Sequence, residues 1–297
     1  MNTMESGAQA PSLPAWHTLV SVQALQPVLG HPGLRLLDAR AVLVDPGAGR
    51  AAFAASRLPG AVHADLDTDL SDHAVRGQGR HPLPDPAAFA RKVGEWGIGP
   101  QHQVVVYDAG DGSMAAARAW WLLRLLGHLR VAVLDGGLAA WRAAGGEEST
   151  TPAAPPALPA YPATGFEQAR IASAADVLAR LGQAPGWLLD ARGGERFRGE
   201  VEPIDPVAGH VPGALNRPFT ANLRDGRFRP AAELRAELEP LLHGHGAGDA
   251  VLMCGSGVTA CHLLLAMEHA GLPGARVFAG SWSGWIADAS RPVATGP

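Results

Sequence analysis

The feature that most constrains this chain is that it is written twice. Leu36-Leu37-Asp38-Ala39-Arg40 recurs as Leu188-Leu189-Asp190-Ala191-Arg192, and Leu58-Pro59-Gly60-Ala61 recurs as Val211-Pro212-Gly213-Ala214. The apolar run Val104-Val105-Val106-Tyr107-Asp108 has its counterpart in Ala250-Val251-Leu252-Met253-Cys254. Val133-Leu134-Asp135-Gly136, leading to Trp141, is matched by Val277-Phe278-Ala279-Gly280, leading to Trp285. Collinear matches offset by 144 to 153 residues mark a duplicated domain. Between the copies, Ser149–Pro162 carries five prolines and supplies neither a helix interior nor a central strand, so it reads as an extended, semi-rigid strap. The expected division is a first domain over 1–148, a Pro-rich linker over 149–165 and a second domain over 166–297. Such a strap is long enough to leave the domains packed face to face.

Composition narrows the class. A chain of 297 residues gives two halves of about 150, each long enough to bury roughly 68–70% of its unfolded surface. Mean hydropathy of +0.03 and 47% hydrophobic residues suit a globular protein and exclude a disordered one. A net charge of -4 offers no basic field, so no nucleic-acid partner is expected. Lys92 is the single lysine, which leaves little room for Schiff-base chemistry. No apolar run approaches the ~20 residues of a membrane span, so no membrane partner is expected. The opening Met-Asn-Thr-Met-Glu-Ser-Gly-Ala lacks a basic segment followed by an apolar one, so no signal peptide is read there. Two cysteines, Cys254 and Cys261, fit a reducing cytoplasm rather than a disulfide scaffold; they form no CxxC pair and no zinc site, and both are expected as free thiols.

Within each copy, short apolar runs alternate with longer amphipathic ones. Trp187–Ala191, Val251–Cys254 and Arg276–Ala279 read as buried strands, and Ala231–Leu242 and Thr259–Ala270 as helices, the latter stopped by Gly271 and Pro273. Asp85 followed by Pro86 reads as a helix N-cap and first helical position. The alternation predicts an α/β fold in which each domain is a mainly parallel sheet flanked by helices. Ligands in such sheets bind at the carboxyl ends of strands, where Asp108 and Cys254 fall.

The duplication supplies its own control, because only the second copy ends this strand in a cysteine. Cys254-Gly255-Ser256-Gly257-Val258-Thr259 then runs into a helix. Gly255 and Gly257 allow a tight loop whose N–H groups turn toward the sulfur, and those groups with the helix N-terminus favour a thiolate. That is the environment of a nucleophile. Cys261 lies inside the helix and is assigned to packing. His243-Gly244-His245 and Asp108-Ala109-Gly110-Asp111-Gly112 lack the partners of a metal site, and no metal or cofactor is expected. The tryptophans, among them Trp120, Trp121, Trp282 and Trp285, are assigned to core and domain-interface packing.

The Cys254–Thr259 loop resembles the active-site loop of the rhodanese family. The paired Asp-Ala-Arg and Pro-Gly-Ala segments and the terminal Gly…Trp motif are similar to tandem-rhodanese sulfurtransferases over nearly the whole chain. That resemblance implies two tandem rhodanese-like domains, the first inactive and the second catalytic. The wording Cys-Gly-Ser-Gly-Val-Thr most resembles the 3-mercaptopyruvate sulfurtransferase branch; thiosulfate-specific relatives carry cations at the two positions held here by Gly255 and Ser256. It implies a ping-pong reaction in which Cys254 takes sulfur as a persulfide and passes it to a small thiol, cyanide or reduced thioredoxin, without a cofactor.

The resemblance also assigns supporting residues. Arg196, in Glu195-Arg196-Phe197-Arg198-Gly199, matches a substrate-carboxylate arginine, and its planar fork suits that anion. Gly255, Gly257, Val258 and Thr259 hold the donor through the loop. A second arginine of that branch maps near Ile204, in Glu202-Pro203-Ile204-Asp205, so it is missing here. A proposed Asp–His–Ser relay maps onto Asp67, His81 and Ser256, with Asp65 a competing carboxylate; two of its members come from the first domain. Arg192 recurs as Arg40 and is read as structural. Three alternatives are carried forward. One is thiosulfate as the principal donor, and another is a non-catalytic sulfur-relay or protein-binding module. The third, a cysteine phosphatase or arsenate reductase, needs an oxyanion-clamping arginine where this chain has Ala260.

Overall fold

The computed structural model describes residues 13–297, and Met1–Ala8, read above for targeting signals, lies outside them. The first copy runs β1 (Leu19–Val20), α1 (Val22–Leu25), β2 (Leu34–Asp38), α2 (Pro46–Ala55), β3 (Ala61–His63), α3 (Pro86–Glu95), β4 (Gln103–Tyr107), α4 (Ala115–Leu125), β5 (Val131–Leu134) and α5 (Gly137–Ala143). The second runs β6 (Ile171–Ala172), α6 (Ala174–Leu178), β7 (Leu188–Asp190), α7 (Gly194–Arg198), β8 (Leu215–Asn216), a hairpin of β9 (Leu223–Arg224) and β10 (Arg227–Phe228), α8 (Ala231–Leu241), β11 (Val251–Met253), α9 (Thr259–His269), β12 (Arg276–Phe278) and α10 (Ser281–Trp285). The predicted strands and helices are present, each trimmed by a residue or so at its ends. Asp85 does cap α3, its carboxylate accepting the Ala88 N–H at 2.8 Å.

Each copy forms a parallel five-stranded sheet in the same spatial order, β1-β5-β4-β2-β3 and β6-β12-β11-β7-β8. The repeated Asp-Ala-Arg segment recurs in three dimensions too. Asp38 accepts the Arg40 N–H and clamps its guanidinium, and Asp190 does the same for Arg192. This supports the structural reading of Arg192. The indoles of Trp141 and Trp285 donate to the carbonyls of Glu147 and Pro292, closing the end of each copy.

Strand residues alternate between the two faces of each sheet, and this alternation aims the site. Leu36, Val105 and Tyr107 face a core private to the first domain, and Val251, Met253 and Phe278 one private to the second. Their neighbours Leu37, Val104, Val106, Leu189, Leu252 and Val277 face a third core common to both domains. Cys254 is two residues beyond Leu252 and therefore points toward the partner domain.

The common core is centred on α4 against α9, the helices that follow the two equivalent loops. Every residue from Ala115 to Leu123 is buried, because α4 lies between its own sheet and α9; such a position calls for a helix apolar on most sides, and Arg118 is the charged exception in that stretch. Trp120 and Trp121 belong to this core, while Trp282 and Trp285 pack in the private core of the second domain. At the edge of the interface Glu268 pairs with Arg124 at 3.2 Å and with Arg170 at 3.5 Å.

The strap runs along the first domain. Thr150 and Thr151 carbonyls accept from Arg57, Leu158 N–H donates to the Gly94 carbonyl, and Tyr161 N–H to that of Ala90. Gly94 is glycine for a packing reason: a Cβ there would stand 2.7 Å from the Leu158 carbonyl oxygen and closer still to that of Pro159. Gly94→Ala therefore works against its own gain in helix propensity of up to ~1 kcal/mol. The expected result is a net loss of ~2 kcal/mol in urea denaturation, with faster proteolysis across 150–160, because the overlap lifts the strap off α3.

Candidate active site

Cys254 immediately follows β11, and its loop is short because Gly257 adopts a φ of +78°. A side chain at Gly257 would drive into the Ala279 carbonyl, so the turn needs glycine for space as well as for conformation. The Gly257 N–H donates to the Cys254 Sγ at 3.2 Å. Val258 is buried at the start of α9, and half-buried Thr259 is the first residue of that helix. Cys261, one turn on, donates its thiol to the Gly257 carbonyl at 3.2 Å, and burial pushes it up to about 12. It is a thiol, and both cysteines are free.

Ser281 supports the Cys254 backbone from below. Its hydroxyl accepts the Cys254 N–H at 3.0 Å and donates to the Phe278 carbonyl at 2.9 Å. It does so at a φ of 49°, in the left-handed region that side chains disfavour, and the equivalent residue of the first copy is Gly137 at 53°. The signal was present in the repeat, as a serine where the other copy has glycine, but sequence reasoning passed over it.

The first domain supplies the far wall. His81 Nδ1 lies 2.8 Å from the Ser256 Oγ, and both residues are buried. Burial, reinforced by the charges of Arg118, Arg80 and His73, lowers His81 to about 3, so the ring is neutral at physiological pH and able to exchange a proton with the serine. Asp67 Oδ1 is 3.9 Å from His81 Nε2 but 3.0 Å from that of His73, so its first partner is His73. Asp65 is occupied in its own turn, accepting the Asp67 and Thr68 N–H groups and pairing with Arg50. The structure thus brings Cys254, Ser256 and His81 together and leaves Asp67 at the outer end.

Arg118 of α4 was not anticipated. Fully buried, its guanidinium donates to the carbonyls of Gly257 at 3.2 Å, His81 at 3.1 Å and Leu70 at 3.4 Å. One cation of the first domain therefore ties the Cys254 loop to the histidine opposite.

Arg196, on α7, is partly exposed and held by Glu202 at 2.7 Å and Asp205 at 3.2 Å. Asp205 also pairs with Arg80 of the first domain. A Cβ placed on Gly255 would lie 3.0 Å from Arg80 Nη2 and 3.5 Å from Arg196 Nη1, so two guanidiniums stand over the loop although Gly255 and Ser256 bring no cation. Ile204, 49% exposed, lines a cleft of about 510 Å³ together with Arg80, His81 and Asp67.

The first copy's loop differs in kind. Asp108 Oδ1 accepts the N–H groups of Gly110 and Gly112, so the loop amides there bind their own side chain. Burial raises that carboxyl to about 6. His243 is exposed and His245 half-buried, and among the described residues no group of three or more His, Cys, Asp or Glu is placed to hold a metal ion.

Known proteins resemble this chain over nearly its whole length. The rhodanese-like domain family matches residues 21–144 and 173–288. A probable 3-mercaptopyruvate sulfurtransferase of Pseudomonas aeruginosa is 50% identical over 94% of this chain and 98% of its own. The putative thiosulfate sulfurtransferase SseB of Mycobacterium tuberculosis is 42% identical over 88% and 90%. The crystal structure of SseA from Escherichia coli superposes with a TM-score of 0.74 at 31% identity, over 90% of this chain and all of that one. Fold, site and relatives define a two-domain enzyme of the sulfurtransferase class. The chain belongs to the rhodanese family, with two rhodanese domains in tandem. Among the described residues no helix is long and apolar enough to cross a membrane.

Two outcomes follow from the buried groups. Ser281→Ala orphans the Cys254 N–H while keeping the strained backbone, and is expected to lose ~1–3 kcal/mol in chemical denaturation; Ser281→Gly, which relieves the strain, loses less. Burial likewise lowers His128 and His262 to about 4. With His81 they bind protons when unfolded, near 6.5, that the native state refuses. Asp108 opposes them, because its native carboxyl keeps a proton between 3.8 and about 6. Three histidines outweigh one carboxyl, so their combined contribution to stability falls as pH drops below 6.5. Urea midpoints between pH 7.5 and 4.5 check this, with an expected slope of roughly 1–3 kcal/mol per pH unit near pH 5.

Proposed function

We propose that this sulfurtransferase takes sulfur from 3-mercaptopyruvate through a persulfide on Cys254 and delivers it to a thiol or cyanide. The observation that carries this is the Cys254 sulfur held by the Gly257 N–H, with the Ser256–His81 pair beside it. The Cys254 thiolate attacks the donor sulfur; an S–S bond forms, the C–S bond breaks, and its electron pair goes to the former CH2 carbon as an enolate. That carbon takes the proton from the transferred sulfur, by way of the Ser256 hydroxyl and neutral His81, and leaves as pyruvate. The persulfide stays at the loop, stabilised by the amide donor and the helix N-terminus. An acceptor thiolate or cyanide then takes the outer sulfur and restores Cys254.

In this reading residues 1–148 form a domain without a nucleophile, 149–165 the strap and 166–297 the catalytic domain. Gly255, Gly257, Val258 and Thr259 hold the donor, Arg196 binds its carboxylate, and Asp67 orients the outer histidines. Two free cysteines favour a reducing cytoplasm, where reduced thioredoxin is an acceptor of the right chemistry. Thiosulfate as principal donor is the second reading, favoured by the name of the Mycobacterium tuberculosis relative.

Steady-state sulfur transfer to cyanide and to dithiothreitol discriminates them, with Cys254→Ser as blank. A kcat/KM for 3-mercaptopyruvate at least tenfold above that for thiosulfate is expected, a difference of ~1.4 kcal/mol in transition-state binding. The reverse preference moves the donor to thiosulfate. Equal rates with Cys254→Ser sink the enzyme reading in favour of a binding module.

A further inference from the structure

The two guanidiniums over Gly255 come from different domains, and one carboxylate joins them. Arg80 gives Nη1 to Asp205 Oδ1, and Arg196 gives Nη2 to Asp205 Oδ2 at 3.2 Å and to Glu202 at 2.7 Å. Asp205 is nearly enclosed, with 4% of its side chain exposed, so one carboxylate pins both arginines side by side. Arg80 Nη2 and Arg196 Nη1 approach the open side of Gly255 to within 3.0 and 3.5 Å of where a Cβ would stand, with the carboxylate-bound Arg196 Nη2 at 3.6 Å. Two guanidinium donors held by one carboxylate beside Cys254 are suited to a planar carboxylate.

Arg80 is held there by the second domain. Its backbone N–H donates to the Ser283 Oγ at 3.1 Å, and a side chain on the preceding Gly79, at a φ of +89°, would meet Ser283 and the Gly280 carbonyl. The segment is thus latched to α10, beside the Ser281 that supports Cys254. Because Glu202 and Asp205 balance the arginines, the site selects by directed hydrogen bonds more than by net charge.

We propose that Arg80 of the first domain is a substrate-binding residue that, with Arg196, receives the carboxylate of the sulfur donor over Gly255. This rests on the mercaptopyruvate reading above and adds a binding role for the domain that lacks the nucleophile.

The test uses Arg80→Met, which keeps the stem and removes the fork, in the full-length protein. The expected result is a KM for 3-mercaptopyruvate raised at least tenfold, with kcat within threefold of wild type. Inhibition by pyruvate, which shares the carboxylate but cannot donate sulfur, should weaken by a similar factor. Should Arg80→Met fail to fold, Arg80→Lys keeps the charge and loses the fork, and the same two readouts should move by at least threefold. Ile204 lines the same cleft next to Asp205, so Ile204→Arg in the Arg80→Met background should restore part of the KM. Unchanged KM and pyruvate inhibition overturn the proposal, and so does a fall in kcat alone, which would place Arg80 behind the loop or His81. A wild-type enzyme that turns over only thiosulfate refutes the donor reading instead. A raised thiosulfate KM in Arg80→Met then supports the two-arginine site for an oxyanion, and an unchanged one overturns it.

Discussion

The site depends on the packing of α4 against α9. Each of these helices follows the loop at the carboxyl end of its own sheet, so pressing them together brings the two loops to one interface. The core they share buries every residue of α4 from Ala115 to Leu123. Removing this contact would expose apolar surface on both domains at roughly 25 cal/mol per Å². It would also separate His81 from Ser256 and Arg118 from the Gly257 carbonyl. Domain docking and active-site assembly are one event.

Within that frame, burial sets the chemistry of the titratable groups. His81 is kept neutral by the enclosed position that puts it on Ser256, and Cys261 remains a thiol for the same reason. The equivalent position to Cys254 shows the opposite solution. Asp108 turns its carboxylate back onto the amides of its own loop, as a short acceptor side chain in an N–H-rich turn will do. The Cys254 sulfur in its place accepts the Gly257 N–H, so the two loops spend their amides on different acceptors.

Much of this was legible in the sequence because it is local or repeated. Collinear segments gave away the duplication, period and turn residues gave the strands and helices, and a strand-ending cysteine followed by Gly255 and Gly257 marked the loop. His81 and Asp67 were reachable through family resemblance alone, since nothing near His81 in the chain announces a partner 175 residues away, and Asp67 gains its interest only through His81. Arg80, Arg118 and Asp205 escaped notice because their significance arises only when the domains meet. An arginine in a loop, an arginine in an alanine-rich helix and an aspartate after an isoleucine each have ordinary surface readings. Ser281 was legible in principle, since the other copy has Gly137 at the same left-handed turn, but its hydroxyl's target is a backbone amide that no pattern reveals.

The latch between Gly79 and α10 bears on how such a duplicated protein can change over generations. With Asp108 where the second copy has Cys254, the first copy has one constraint fewer. Yet the space beside Gly79 is closed by the Gly280 carbonyl and the Ser283 hydroxyl, which belong to the other copy. Any mutation there is judged by its effect on a reaction center built elsewhere. The two halves have become a single heritable unit, and neither can be shed, exchanged or renewed without the other.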